Sequence, residues 1–363
     1  FLLETSFDND EYDVVIGNPP YNAKLSKKEK GYCKTHYPDI SKTIRSETFF
    51  VIKNIDLLKP DGQLCLVLPA TILRVHHYSG LRNFILEKCN VEKIVDLKRA
   101  FDFVGYETII LLLRKKKSKN TNVEVITGVK NLEKKQFDKH LLQHNFLEKR
   151  DVIPIWISND IISLIKKIEK NGVKLSSISK NKRGVSLAST DKKYLSNKNE
   201  LKSLKILRGK DIGRYKIKPV QKYLLKNSKW INYVKIRTTP KILVQNLAYR
   251  IVATYDKQHM VLDTVNTVIL NNNDFDHKYI LAILNSQLMN FYFRYVISNK
   301  AALNIHLDEV YLGELPIKKN QKYQKELVKL VNLELKSYGK DKEILQKIDD
   351  TVYKIYSISK KDQ

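Results

Sequence analysis

The chain has 363 residues, 42% of them hydrophobic, which is enough for two domains that each bury a core. No apolar run approaches the roughly 18 residues of a membrane span, and three scattered cysteines form neither a disulfide framework nor a CxxC metal site, so we expect a cytoplasmic protein without membrane association or metal. The net charge of +27 instead favours a polyanionic partner.

The first 118 residues alternate between strand and helix patterns. Strands are predicted at 12–16, 63–69, 92–97 and 107–115, and helices at 47–58 and 78–89. Turn residues at 59–62 are expected to end the first helix. Nearly continuous apolar strands with helices between them predict an α/β sheet covered on both faces, in which the strand at 12–16 is buried.

The pattern of apolar and polar residues changes after this segment, from long apolar strands to short apolar runs between polar residues. Residues 119–150 are polar and mixed, and we interpret them as a connection. Beyond them, short strands are predicted at 203–207, 241–246 and 261–270, and helices at 277–297 and, in two or three pieces, at 320–358. Residues 151–363 are therefore predicted to form an α+β domain with C-terminal helices.

The positive charge is concentrated in this second domain, since residues 151–363 carry +20 and residues 1–150 carry +7. Residues 201–250 contain 14 Lys and Arg and one acidic residue. Neutralising phosphates releases counterions, so the composition favours nucleic acid as the partner, with a general lysine excess as the alternative. The candidate DNA-binding residues are Lys205, Arg208, Lys210, Arg214, Lys216, Lys235, Arg237 and Arg250.

A short motif, Asn18-Pro19-Pro20-Tyr21, follows the first predicted strand. In open α/β sheets, ligands bind at the carboxyl edge of the strands. Two prolines present rigid carbonyls that only accept hydrogen bonds, Asn18 adds a side-chain acceptor, and Tyr21 adds a flat aromatic face. The motif therefore suits a planar ring with an exocyclic NH₂ group, which would donate to the Asn18 side chain and the Pro19 carbonyl.

These hydrogen bonds also have a catalytic consequence. The lone pair of an aryl amine is delocalised into the ring, which makes the amine a weak nucleophile. Holding both hydrogens in acceptors rehybridises the nitrogen and directs its lone pair at an electrophile, without a covalent enzyme intermediate. We therefore predict Asn18, Pro19, Pro20 and Tyr21 as catalytic residues, with a plain turn as the alternative.

With its neighbours, the motif resembles the gamma-class adenine-N6 DNA methyltransferases of the TaqI and type IIG restriction–modification kind. The matching stretches are "FLLETSFDNDEYDVVIGNPPY" at 1–21, "FFVIKNIDLLKPDGQLCLVLPATIL" at 49–73, "RAFDFVGYETIILLLRKK" at 99–116, "LRGKDIGRYKI" at 207–217, "YILAILNSQLMNFYF" at 279–293 and "LGELPIKK" at 312–319. The resemblance covers most of the chain. It implies a partial Rossmann-like methyltransferase sheet at 1–118 and a target-recognition domain at 151–363.

The resemblance also implies roles for single residues. Phe101 matches the aromatic residue that stacks on the target base opposite Tyr21, with Phe103 as a competing position. Phe50 matches the aromatic residue near the cofactor, S-adenosylmethionine, with core packing as the alternative role. Asn18 would touch the methionine end of the same cofactor. An adenine must leave the duplex to reach Asn18, so base flipping is implied.

One departure from the family concerns the cofactor pocket. The glycine-rich loop and the acidic residue that hold S-adenosylmethionine in the family have no counterpart upstream of Asn18. We therefore expect most of the pocket to precede Phe1, and we expect the chain alone to be a monomer that binds the cofactor weakly and is inactive.

Three alternatives stay open at this stage. The whole protein could be a type IIG enzyme that also cuts DNA. We expect no nuclease site in this chain, because the candidate stretch Glu326-Leu327-Val328-Lys329 lies in a helical pattern. The protein could instead be a glutamine or RNA methyltransferase, or the chain could act as a DNA-binding module. His76 and His77 are interpreted as polar loop residues.

Overall fold

The computed structural model describes most of the chain, and the statements below concern the described residues. These are residues 3, 9–38, 40, 45–99, 107–116, 121–131, 133–148, 150–187, 193–199, 203–220, 222–225, 237–271, 273–301 and 305–362. The chain divides into two compact units, one formed by Phe1–Ile161 with Tyr295–Ala302 and the other by Ile162–Arg294 with Leu303–Gln363. In the described part of the chain, no helix has the length and apolar character needed to cross a bilayer.

The first 150 residues contain six strands and four α-helices in the described part. In chain order these are β1 Tyr12–Gly17, α1 Lys27–His36, α2 Ser46–Leu57, β2 Leu58–Pro69, α3 Ser79–Lys88, β3 Asn90–Lys98, β4 Thr108–Arg114, β5 Asn122–Asn131, β6 Gln136–Gln143 and α4 His144–Glu148. Two short 3₁₀ turns, Ala70–Leu73 and His76–Tyr78, follow β2.

All six strands join one mixed sheet, in the order β1-β2-β4-β3-β5-β6. β1 pairs with β2, and β3 with β5, in parallel, whereas the other neighbours are antiparallel. Alternate residues of the central strands are buried, for example Leu64, Leu66 and Leu68 of β2. The predicted α/β class is confirmed, and the strands at 12–16, 63–69, 92–97 and 107–115 all form.

Three details of the first unit differ from the predictions. β1 lies at an edge of the described sheet, so Val14 and Ile16 are 55% and 76% exposed instead of buried. The turn residues 59–62 belong to β2, where Asp61 adopts a positive φ of 63° at the irregular start of the pairing with β1. Residues 119–150, interpreted as a connection, contain β5 and β6, whose polar alternation hides the buried Val123 and Val125.

The rest of the chain contains many short strands and a group of helices. In chain order these are α5 Asn159–Glu169, β7 Val173–Lys174, α6 Leu175–Ile178, β8 Ser179–Arg183, β9 Leu195–Ser196, β10 Ser203–Leu207, β11 Ile212–Gly213, β12 Lys216–Ile217, β13 Tyr223–Leu225, β14 Lys241–Gln245, β15 Leu247–Ala248, β16 Ala253–Asp256, β17 Met260–Val261, β18 Val265–Leu270, α7 His277–Asn285, α8 Gln287–Tyr292, β19 Ile305–His306, α9 Glu309–Gly313, β20 Pro316–Ile317, α10 Gln321–Lys336 and α11 Lys342–Tyr356. Two four-stranded sheets have the orders β17-β10-β13-β9 and β16-β14-β18-β8.

The helix pattern of this region is confirmed in outline. The segment 320–358 forms two helices, α10 and α11, that begin at the capping side chains of Asn320 and Asp341. The predicted helix at 277–297 is instead divided, because the Ser286 side chain accepts a hydrogen bond from the Met289 amide and starts α8. The nuclease-like letters at 326–329 lie within α10, as the periodicity indicated.

Candidate active site

The Asn-Pro-Pro-Tyr motif begins where β1 ends. Gly17, the last residue of β1, pairs with Leu66 of the parallel strand β2, so the motif lies at the carboxyl edge of this pair. Asn18 and Pro20 are exposed, Pro19 is buried and Tyr21 is half-buried. The exposed amide of Asn18 beside a half-buried ring is the arrangement that the predicted site requires.

Within the motif, the Tyr21 hydroxyl donates a hydrogen bond to Asn18 Oδ1 at 3.1 Å. Burial, followed by the negative charge of Glu47, raises the pKa of Tyr21, so the phenol stays protonated and remains a donor at neutral pH. An amide oxygen has two lone pairs, so Asn18 Oδ1 can accept a second hydrogen bond from a ligand amine.

The residues that hold this loop come from the first turn of α2 and were not among the predicted site residues. The Ala23 amide donates to Ser46 Oγ at 2.9 Å, and the Ser46 hydroxyl donates to the Pro20 carbonyl at 2.9 Å. The Asn22 amide donates to Glu47 Oε2 at 3.0 Å. The signal in the sequence was a glutamate in the first turn of the helix "SETFFVIKNIDL", shortly before the apolar residues Phe49 to Ile52.

A second group of side chains comes from the turns that follow β2 and contacts the start of α2. The Tyr78 hydroxyl donates to Glu47 Oε1, and both residues are buried. His77, interpreted as a polar loop residue, packs on the Tyr78 ring, and burial, with a smaller effect of Arg45, lowers its pKa to about 4. His76 is exposed. His77 therefore lies in a short turn after β2, as a neutral and partly buried imidazole.

Of the phenylalanine residues assigned to the cofactor and to base stacking, only Phe50 lies within the described residues. Phe50 is half-buried on α2, whereas its neighbour Phe49 is buried and contacts the ring of Tyr37. Phe101 and Phe103 lie outside the described residues. The described residues contain no group of three or more His, Cys, Asp or Glu side chains that could hold a metal ion.

The candidate DNA-binding residues of the second unit differ in exposure. Lys205, Lys210 and Arg250 are exposed, Lys216 and Arg237 are half-buried, and Lys235 lies outside the described residues. Lys205 and Lys210 are therefore accessible to phosphates, as DNA contacts require. Arg250 is partly desolvated, because burial, followed by the charge of Arg214, lowers its pKa.

Two of the candidate arginines make internal contacts. The Arg208 guanidinium donates to both carboxylate oxygens of Asp211, at 3.0 and 3.1 Å. Arg214 Nη2 donates to the Asn285 carbonyl at 3.1 Å. Asp211, the one acidic residue of the basic stretch, thus engages the nearest arginine. Their use for DNA remains a prediction.

Two segments of the chain match known protein families, one that includes the Asn-Pro-Pro-Tyr motif and one in the basic second unit. Residues 2–103 match the Eco57I restriction-modification methylase family, and residues 204–317 match the TaqI-like C-terminal specificity domain. The chain thus combines an Eco57I-type methylase segment with a TaqI-like specificity segment, and the resemblance to restriction–modification methyltransferases is confirmed.

Curated relatives point to the same class. The Type II methyltransferase M.HincII of Haemophilus influenzae is 30% identical over 135 residues, which cover 34% of this chain and 26% of the relative. The Type II restriction enzyme and methyltransferase RM.Eco57I of Escherichia coli is 27% identical over 168 residues, covering 43% and 17%. The putative enzyme RM.MjaORFECS2P of Methanocaldococcus jannaschii is 28% identical over 389 residues, covering 95% and 31%. The chain thus spans less than a third of each of these relatives.

Solved structures share the fold over nearly the whole chain. The Type IIL restriction-modification enzyme MmeI, determined in complex with DNA, has a TM-score of 0.61 at 11% identity and covers 95% of this chain and 54% of that one. A nuclease-deletion mutant of the Type ISP enzyme LlaGI, with a DNA substrate mimic, has a TM-score of 0.55 at 13% identity and covers 90% and 41%. At these identities the likeness concerns the fold alone.

Proposed function

We propose that this chain carries the base-binding part of a site-specific DNA methyltransferase that transfers a methyl group from S-adenosylmethionine to N6 of a flipped adenine in duplex DNA. The observation that carries the proposal is the exposed Asn18 amide, held by the Tyr21 hydroxyl at the carboxyl edge of β1. The residues 151–363 would act as the target-recognition domain. The methylase family match and the restriction–modification relatives support the reaction class.

The chemistry follows from the acceptors of the motif. The adenine amine donates one hydrogen to the free lone pair of Asn18 Oδ1 and the other to the Pro19 carbonyl, while the base stacks on Tyr21. Both contacts draw the nitrogen lone pair out of the ring and direct it away from the acceptors. When bound, S-adenosylmethionine supplies an electrophilic methyl group. The oriented amine would accept this methyl group from the sulfonium, and one of its protons would pass to water.

The residues present fit only part of such a cofactor. The Asn18 side chain offers an exposed amide and Phe50 a half-buried ring, which suit the methionine end and the adenine face respectively. Phe101 would stack on the target base opposite Tyr21. Because the chain spans less than a third of the relatives reported above, the activity of the whole protein is part of the proposal.

Two substitutions test the proposal in the natural full-length protein. Asn18→Ala is expected to abolish formation of N6-methyladenine, measured by mass spectrometry of digested DNA, and to leave DNA affinity within a few-fold. Tyr21→Phe keeps the stacking ring and removes the hydroxyl that orients Asn18, so it is expected to lower turnover by about 10-fold, as the loss of one hydrogen bond of about 1.4 kcal/mol would. Turnover of Asn18→Ala close to the wild-type rate would refute the assigned chemistry.

A second candidate function is a bifunctional enzyme that cuts DNA as well as methylating it. The specific observation in its favour is the similarity to RM.Eco57I, whose name combines both activities. The test is to incubate the full-length protein with unmethylated DNA and Mg²⁺ and to look for defined fragments. Cleavage would add an activity carried outside the described residues and would leave the proposed roles of Asn18 and Tyr21 intact.

A further inference from the structure

The loop that carries the motif is held at three residues, Pro20, Asn22 and Ala23, by the start of α2. The Ser46 hydroxyl donates to the Pro20 carbonyl and accepts from the Ala23 amide, both at 2.9 Å. Between them, the Asn22 amide donates to Glu47 Oε2 at 3.0 Å. Because these contacts involve the backbone, they fix the path of the chain directly after Tyr21.

Asn22 is the conformationally unusual residue of the loop. Its φ of 52° lies in the left-handed region, which asparagine adopts more readily than most residues but which still requires support. Support comes from two sides, because Arg45 Nη1 donates to the Asn22 side-chain oxygen while Glu47 accepts from its amide. The turn that ends the motif therefore depends on the residues around Glu47.

Glu47 is itself fixed. Its side chain is fully buried, where an unpaired carboxylate would be costly. One oxygen accepts from the Asn22 amide and lies 3.2 Å from Ser46 Oγ, and the other accepts from the Tyr78 hydroxyl. Burial, followed by the hydrogen bond to Glu47, raises the pKa of Tyr78, so this phenol remains a donor across the physiological range.

We propose that Glu47, held by Tyr78, is a positioning residue that sets the backbone of the Asn-Pro-Pro-Tyr loop for methyl transfer. The inference rests on the proposed function, because it assigns to Glu47 the placement of Asn18 and Tyr21 against the adenine. Glu47 acts through the Asn22 amide, so a change there shifts the acceptors without removing them. A displacement of about 1 Å in an active site can cost about 100-fold in rate.

The molecule offers a matched control at the other end of the same helix. There the Tyr37 hydroxyl donates to Asp56 Oδ2 of α2 at 2.5 Å, which repeats the tyrosine–carboxylate bond far along the helix from the loop. Tyr78→Phe and Tyr37→Phe each remove one hydroxyl that binds a carboxylate of α2. Both are expected to lower thermal stability, but only the first should disturb the loop.

The experiment compares Glu47→Ala, Glu47→Gln, Tyr78→Phe and Tyr37→Phe in the natural full-length protein. It measures kcat, the KM for DNA, melting temperature and the fluorescence of 2-aminopurine at the target base. Glu47→Ala is expected to lower kcat by about 100-fold and Tyr78→Phe by about 10-fold, with KM nearly unchanged, since the loop and not DNA affinity is altered. Tyr37→Phe should keep kcat.

Glu47→Gln is the rescue variant. Its amide oxygen can accept from Asn22 while its NH₂ group donates to Tyr78, whose hydroxyl is able to turn and accept. Turnover within a few-fold of wild type supports positioning by hydrogen bonds. A Gln variant as slow as Ala, or equal losses of kcat in Tyr78→Phe and Tyr37→Phe, would overturn the inference. If the wild-type protein forms no N6-methyladenine, the proposed function fails instead, which separates the two.

Discussion

The buried ion pair of Lys241 and Asp256 makes a quantitative prediction for the second unit. Lys241 Nζ lies 2.8 Å from Asp256 Oδ2, and the side chains are 1% and 3% exposed. The ammonium also donates to the carbonyl of Arg237 at 2.8 Å, so it fixes the backbone beside a candidate DNA contact. Asp256→Asn keeps the shape of the side chain but leaves the buried ammonium without a counter-charge, which is expected to cost about 3–5 kcal/mol of unfolding free energy.

The pH dependence of the unfolding free energy gives a second measure of how much the pair of Lys241 and Asp256 stabilises the fold. Burial alone would raise the pKa of Asp256, but hydrogen bonds from His259 and Lys241 outweigh it and lower the pKa from 3.8 to about 2. This difference corresponds to about 2 kcal/mol, present above pH 4 and lost as the pH falls toward 2. The stability gap between wild type and Asp256→Asn should therefore narrow by that amount on acidification.

Urea unfolding followed by circular dichroism at pH 6 and pH 2.5 measures both quantities, and hydrogen exchange of the β14 and β16 amides locates the effect. The control is Asp274→Asn, which breaks the exposed pair of Lys319 and Asp274 at 2.7 Å. That loss should stay below about 1 kcal/mol because surface pairs are screened by solvent. Equal losses in the two variants would refute the reasoning, since burial would then carry no weight.

Other predictions concern the basic surface and a close backbone contact. The affinity of the full-length protein for DNA should fall with salt, and Lys210→Ala should lower the slope of log K against log salt by about 0.9 if this exposed lysine contacts a phosphate. Arg208→Ala should instead lower stability by about 1–3 kcal/mol, because it leaves the buried Asp211 without its charge-assisted bonds, and a change in salt slope alone would contradict this. Gly184→Ala should destabilise the second unit by about 1–3 kcal/mol in urea unfolding, as a Cβ there would lie 2.3 Å from the Leu262 carbonyl oxygen. A variant as stable as wild type would mean that the backbone relaxes without cost.

The parts of the fold that could be predicted are those where periodicity and turn chemistry agree. The second half of β2 and the whole of β4 are apolar runs with clear limits, and Asp341 caps α11 directly after a break in the helical pattern. The strands β5 and β6 were missed because polar side chains interrupt their apolar positions, including Glu124 and Lys130 in β5 and Asp138 and Lys139 in β6, which leaves a weak alternation. Whether such a segment forms a strand depends on its pairing with segments that are distant in the sequence, and a local pattern does not show this pairing.

The candidate site divides in the same way. Asn18 to Tyr21 could be proposed as site residues because their chemistry is contained in four adjacent letters, and their role stays a prediction. Glu47 could not be linked to Asn22, since 25 residues separate them and only the packing of α2 brings them together. For Arg208 the reverse holds, because the local sequence was misleading. Counting charges treated its guanidinium as available to DNA, whereas Asp211, three residues later, forms an ion pair with it.

The strand order of the first sheet has a consequence for how the chain folds. β4 follows β3 in the sequence but inserts between β2 and β3, so β2 has no partner on that side until residue 114 has been synthesised. The loop between β3 and β4 is much shorter than the segment between β2 and β4. The antiparallel pair of β3 and β4 is therefore expected to form before β2 joins it. β2 then docks on one side of this pair and β5 on the other, and the Asn-Pro-Pro-Tyr loop is among the last parts to be ordered. Substitutions in β3 and β4 should therefore slow refolding, whereas those in β1 should mainly accelerate unfolding.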